Sequence, residues 1–102
     1  MITFIKSLFK PKADLAKLVK EGAVIVDVRT KGEFQAGHIE GSKNIPLDTV
    51  KNEVGKLKQL NKPVVTVCRS GNRSGIAANM LEHLGYKNVK NLVGGMLNWQ
   101  KK

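Results

Sequence analysis

The sequence predicts an open α/β domain in three layers, a mostly parallel sheet with helices on both faces. Two runs carry the prediction, Ala23-Val24-Ile25-Val26 and Val64-Val65-Thr66-Val67. Strands buried on both faces of a parallel sheet read as unbroken β-branched runs rather than as alternating ones. Helical spacing separates the two, so strand and helix alternate along the chain. Each run also ends abruptly in a residue with chemistry, Asp27 and Cys68. Ligand sites of open α/β sheets lie at such carboxyl strand ends.

The elements follow in order. Leu15, Leu18 and Val19 recur at helical spacing after Pro11, and Gly22 closes the segment, which predicts a short helix near 12–20. The first strand follows and ends at Asp27. Asn44-Ile45 before Pro46 reads as a short strand. Leu47, Val50, Val54, Leu57 and Leu60 step by three or four, and Gly55 is placed to break that helix in two. After the second long strand, Ile76, Ala77, Met80, Leu81 and Leu84 form an amphipathic face, with Gly85 expected as a left-handed cap. Val89 to Val93 reads as another strand and Met96 to Trp99 as a last short helix. Residues 1–10 read as a strand or tail ahead of a single domain over 11–102.

Composition narrows the function classes. The 102 residues suit one domain, and no apolar stretch approaches the ~20 residues of a membrane-spanning helix. The opening ten residues lack the basic n-region and small-residue cleavage site of a signal peptide; Ile5, Leu8 and Phe9 offer at most a surface contact with a membrane. One cysteine excludes an internal disulfide framework and a multi-cysteine zinc site, and it suits a reducing compartment, here expected to be the cytoplasm. Eighteen basic against eight acidic residues give a net charge of +10, which steers anionic partners, an acidic protein among them. Fifteen of the eighteen are scattered lysines, and no arginine–aromatic cluster is present, so nucleic acid is not the expected partner.

The sharpest signal is Cys68-Arg69-Ser70-Gly71-Asn72-Arg73-Ser74, between a buried strand and an amphipathic helix. A lone cysteine at a strand end is ordinarily a small buried hydrophobe. Here Gly71 lets the backbone turn tightly, so consecutive N–H groups can face inward as an anion-binding nest. The next helix adds the positive end of its dipole, and Arg69 and Arg73 add full charges. All of these favour thiolate over thiol, and Cys68 is expected to titrate below the roughly 8.5 of free cysteine. Asp27 and Arg29 read as a buried pair that orders the neighbouring loops. His38 reads as a structural hydrogen-bonding group, His83 as a solvated helix residue, and Trp99 as packing or as part of the pocket mouth. Arg73 either contacts an anionic ligand or braces the loop, by an ion pair with Asp27 or Glu33.

At these residues the sequence resembles the rhodanese family of sulfurtransferases in its small single-domain form. Val26-Asp27-Val28-Arg29, Glu33-Phe34 and Gly37 to Pro46 are similar to its amino-terminal signature, and Cys68 to Ser74 to its active-site loop. Leu81 to Val89 resembles the helix end and following strand, and Leu92-Val93-Gly94-Gly95-Met96 through Trp99 the carboxyl-terminal signature. The resemblance implies a central five-stranded parallel sheet and a chemistry. Cys68 takes a sulfane sulfur from a small anionic donor, forms a persulfide and passes it to cyanide or a thiol, with no metal or organic cofactor. Arg69, Ser70, Gly71, Asn72 and Arg73 form the cradle, backed by Ser74, Asp27, Arg29 and Glu33. Arg directly after the cysteine resembles thiosulfate-using members. Four residues separate Cys68 from Arg73, one fewer than in the loops of protein-tyrosine phosphatases, which argues against phosphate chemistry. A sulfur-relay protein working between protein thiols and a catalytically silent binding module are the alternatives.

Overall fold

The computed structural model describes residues 11–53 and 62–99. Helix α1 (Pro11–Lys20) leads into strand β1 (Val24–Asp27), helix α2 (Lys31–Ala36) and strand β2 (Lys43–Asn44). A 3₁₀ turn (Leu47–Thr49) runs into helix α3 (Val50–Glu53). Strand β3 (Val64–Val67), helix α4 (Asn72–His83), strand β4 (Val89–Asn91) and helix α5 (Gly95–Trp99) complete the order. The sheet runs β2-β1-β3-β4 and every pairing is parallel. Among the described residues it has four strands, against the five that the resemblance implies; residues 1–10, read as a strand or tail, lie outside the described residues.

Strand alternation sorts the core into two layers. Val26, Val28, Val64 and Cys68 face one side, where Val50, Ala77, Leu81 and Tyr86 cover them. Ile25, Val65 and Val67 face the other, under Leu15, Ile39, Leu92 and Met96. Helices on both faces explain why the strand sequences carry no polar alternation: all four residues of β3 are buried.

The boundaries differ in informative ways. Helix α4 begins at Asn72 rather than near Ile76, so Asn72, Arg73 and Ser74 form its first turn instead of the end of a loop. First-turn N–H groups need no intrahelical partner, so polar residues serve there and the apolar period starts later. Gly85 adopts φ 105°, the left-handed conformation expected after the helix. Strand β4 stops at Asn91, because Leu92 accepts from Gly95 N–H in a turn where Gly94 and Gly95 have φ 81° and 58°. The short strand lies one residue earlier than Asn44-Ile45. Of the helix read over 47–60, the part to Glu53 is present, and 54–61 lies outside the described residues.

Helix α2 had no counterpart in the expectations. Its signal is Thr30-Lys31-Gly32-Glu33, a capping box in which Glu33 N–H donates to Thr30 Oγ1 (3.2 Å) and Thr30 N–H to Glu33 Oε1 (2.9 Å).

Candidate active site

Parallel pairing sets the ends of β1 and β3 side by side, Asp27 opposite Val67. Beyond β1, Asp27 and Arg29 form a buried ion pair, 0% and 7% exposed. Arg29 Nη2 donates to Asp27 Oδ2 (2.7 Å) and to the Gly37 carbonyl (2.7 Å), and Nε donates to Asp27 Oδ1 (2.9 Å). Asn44 Nδ2 donates to the carbonyls of Asp27 and Arg29 at 3.0 Å each, closing the same corner from β2. These contacts tie the loop after β1 to the end of α2 and to β2.

Beyond β3, Cys68 is 1% exposed, with its sulfur on the α4 side of the sheet. Gly71, at φ 109°, turns the chain so that its N–H donates to Sγ at 2.9 Å, and the Ser74 hydroxyl oxygen lies 3.2 Å from Sγ. Burial pushes the thiol up. The Ser74 hydroxyl and the amides of Ser74, Gly71 and Ser70 outweigh it, so the thiol lies below its ordinary value. The largest stabilising contributions are therefore hydrogen bonds, in keeping with the inward amide nest expected from the sequence; the Ser74 hydroxyl adds to it.

The amides face inward because the carbonyls are held outward. Met96 N–H donates to Cys68 O (2.8 Å) and Leu97 N–H to Arg69 O (3.1 Å). A trans peptide points its N–H opposite its C=O, so tying these carbonyls to α5 turns the Arg69 and Ser70 N–H groups the other way. Gly71 O accepts from Gly75 N–H and from Asn91 Nδ2, both at 3.1 Å. Thr66 Oγ1 donates to Ser74 O at 2.9 Å. Gly95 permits this docking: a Cβ on it would stand 2.3 Å from Cys68 O and 2.6 Å from Arg69 O.

The remaining candidates fall into place around this ring. Arg73 pairs with Glu33, Nη1 to Oε1 at 2.8 Å and Nη2 to Oε2 at 3.1 Å, which ties the start of α4 to the start of α2. Arg69, Ser70 and Asn72 are exposed at the rim. Away from it, the exposed His38 ring stacks on Phe34 and donates from Nδ1 to the Phe34 carbonyl (2.8 Å). His83 is exposed on α4, with Nδ1 2.9 Å from the Asn79 carbonyl. Trp99 packs against the Leu15–Met96 layer. Neither the groove of about 420 Å³ beside Leu15 and Leu18 nor that of about 450 Å³ beside Ile76 and Met80 has Cys68 in its wall. The sequence reading missed Asn91 and Thr66. Asn91 carried a signal, a polar side chain at the carboxyl end of a strand.

The Arg73 guanidinium, followed by the Thr30 amide, holds Glu33 down to about 2 from an ordinary 4.5. Its contribution to stability is complete above the unfolded value and is lost as pH falls from about 4.5 towards 2. Glu33→Gln is therefore expected to flatten the acid limb of a urea-midpoint profile in that window. Parallel limbs for variant and wild type would contradict the assignment.

The model of the rhodanese-like domain matches residues 11–102. A Schizosaccharomyces pombe protein named "Putative thiosulfate sulfurtransferase, mitochondrial" is 38% identical over 80% of this chain and 66% of its own length. A thiosulfate sulfurtransferase of Pseudomonas putida is 36% identical over 88% of this chain and 81% of its own. The chain spans 66%, 60% and 48% of three of the curated relatives that it matches. A rhodanese-related protein of Thermoplasma volcanium superposes with a TM-score of 0.75 at 33% identity, covering 85% of this chain and 84% of that one.

Proposed function

The chain belongs to the rhodanese-like domain family, and from that premise we propose that it is a sulfurtransferase carrying sulfane sulfur on Cys68, with thiosulfate or a similar small anion as donor. The carrying observation is the Gly71 N–H on Sγ at 2.9 Å inside a ring of inward amides. Such a ring favours sulfur as an anion, and both resting thiolate and persulfide are sulfur anions.

In the proposed first step the Cys68 thiolate attacks the outer sulfur of thiosulfate. The donor's S–S bond breaks and sulfite departs with the electron pair, leaving a Cys68 persulfide anion. An acceptor then attacks the terminal sulfur: cyanide leaves as thiocyanate, and the Cys68 thiolate is restored. Charge balances in both steps, and neither draws on a metal or organic cofactor. Arg69, exposed at the rim, meets the incoming dianion. The buried Asp27–Arg29 pair and the Glu33–Arg73 pair hold the two loop bases, and the Ser74 hydroxyl supports the sulfur from below. A net charge of +10 also favours an acidic protein thiol as physiological acceptor, and a lone reactive thiol suits a reducing compartment such as the cytoplasm.

Intact-mass measurement after incubation with thiosulfate tests the reading. One sulfur gained on Cys68 and discharged by cyanide supports it. No gain would leave a silent module, and rapid discharge only to a protein thiol would favour a relay. Arg69→Gly is expected to raise KM for thiosulfate by roughly ten-fold, as loss of one charge-assisted contact, with unfolding unchanged. Equal thiosulfate kinetics would remove Arg69 from the donor site.

A further inference from the structure

We propose that Asn91 is a positioning residue that tunes how firmly the Cys68 sulfur holds a proton, by competing with that sulfur for the single proton of Ser74. The inference rests on the thiolate reading above and goes one residue deeper into the same site.

The geometry sets up the competition. Ser74 is fully buried, and its hydroxyl oxygen has two neighbours, Cys68 Sγ at 3.2 Å and the hydrogen-bonded Asn91 Oδ1. The orientation of the Asn91 amide follows from its other contact. Gly71 O only accepts, so the amide group 3.1 Å from it is the NH₂, and the oxygen faces Ser74. A serine hydroxyl has one proton and two lone pairs. With Cys68 as a thiol, S–H donates to Ser74 Oγ while the Ser74 proton stays on Asn91. With Cys68 as a thiolate, the proton swings to the sulfur in a charge-assisted bond, and the Asn91 oxygen loses its donor. Ionisation at Cys68 therefore costs one Ser74–Asn91 hydrogen bond.

This tuning has a catalytic use. A thiolate's nucleophilicity falls with its pKa, with a slope of about 0.4–0.5. Each donor to the sulfur lowers its pKa and its nucleophilicity together, and the hydrogen bond that Asn91 gives up on ionisation offsets part of the Ser74 contribution. The charged groups around the sulfur are Arg69 from the loop, Arg73 of α4 bound to Glu33 of α2, and Asp27 of β1 bound to Arg29. On β4, Lys90 is exposed and alternates to the other face from Asn91. Conservative changes at Asn91 and Ser74 leave all of these in place.

The test is the pH dependence of Cys68 alkylation by iodoacetamide in wild type, Asn91→Ala, Asn91→Asp, Ser74→Ala and the Ser74→Ala/Asn91→Ala double variant. Asn91→Ala frees the serine proton, so its midpoint is expected to fall by roughly 0.5–1 on the pH scale, with the limiting rate at high pH reduced about two-fold. Asn91→Asp keeps the acceptor and adds charge, so its midpoint rises. Both lose the tether to Gly71 O, and a merely structural role would move both in one direction. With Ser74 already replaced, Asn91→Ala should leave the midpoint where it is. Shifts of the same sign in the two single variants, or an undiminished shift in the double variant, would overturn the proposal. Should Asn91→Ala not fold, the near-isosteric Asn91→Asp still decides: a midpoint at or below wild type refutes the competition. The wild-type midpoint by itself tests the thiolate reading, whereas only the spread between variants tests this one.

Discussion

Sulfur transfer is expected to vanish in Cys68→Ser, falling on the order of 10³-fold or more as for other removed nucleophiles, while the fold persists. The site discriminates strongly between the two atoms. Cys68 belongs to the buried cluster of Val26, Val28, Val64 and Leu81, and its Sγ accepts the Gly71 N–H. The amides and the Ser74 hydroxyl outweigh the burial that pushes the thiol up, so it gives up its proton more readily than an ordinary thiol. A serine hydroxyl begins far above any pKa that such a ring can bring into the neutral range, and it cannot hold a sulfane sulfur as a disulfide-like anion. It can accept the Gly71 N–H, so the loop keeps its shape. Loss of transfer with an unchanged urea midpoint is the expected pair of results. Retained thiosulfate turnover in this variant would place the chemistry elsewhere.

Gly95→Ala should do the reverse and damage the scaffold, and through it the site. Gly95 holds φ 58°, and a Cβ there meets Cys68 O at 2.3 Å and Arg69 O at 2.6 Å. Left-handed strain and overpacking together cost roughly 2–5 kcal/mol, a large share of the ~5–15 kcal/mol that holds a domain together. The two carbonyls are those that α5 holds outward, so relieving the collision releases the Arg69 and Ser70 amides from the sulfur. Gly41→Ala separates the two causes, since Gly41 has φ 86° and a Cβ on it would meet nothing within 4 Å. Gly95→Ala should lose more stability than Gly41→Ala and should also raise the pH midpoint of Cys68 alkylation. Equal stability losses and an unmoved midpoint would show that α5 does not set the loop.

Much of this arrangement was legible in the residue pattern, and the parts that were not share a physical cause. Val24 to Val26 and Val64 to Val67 declared buried parallel strands because both faces of each strand meet helices. The Cys68–Ser74 run declared its loop because strand, glycine and helix start follow within a few residues. Local sequence sufficed for these. Asn91 showed in the sequence only as a polar residue at a strand end; its role was hidden because its partners, Gly71 and Ser74, lie 20 and 17 positions away, and only the β3–β4 pairing brings them together. The choice between Glu33 and Asp27 as the mate of Arg73 was open for the same reason, since it depends on where α2 places its capping glutamate. The early start of α4 was missed because polar first-turn residues resemble a loop until the N-cap geometry is seen.

The balance of donors around one sulfur is best read by the wild-type rate of Cys68 alkylation as a function of pH. The amide ring predicts a midpoint clearly below the roughly 8.5 of free cysteine. A midpoint at or above that value would mean that burial defeats the hydrogen bonds, and that Cys68 is only part of the apolar core.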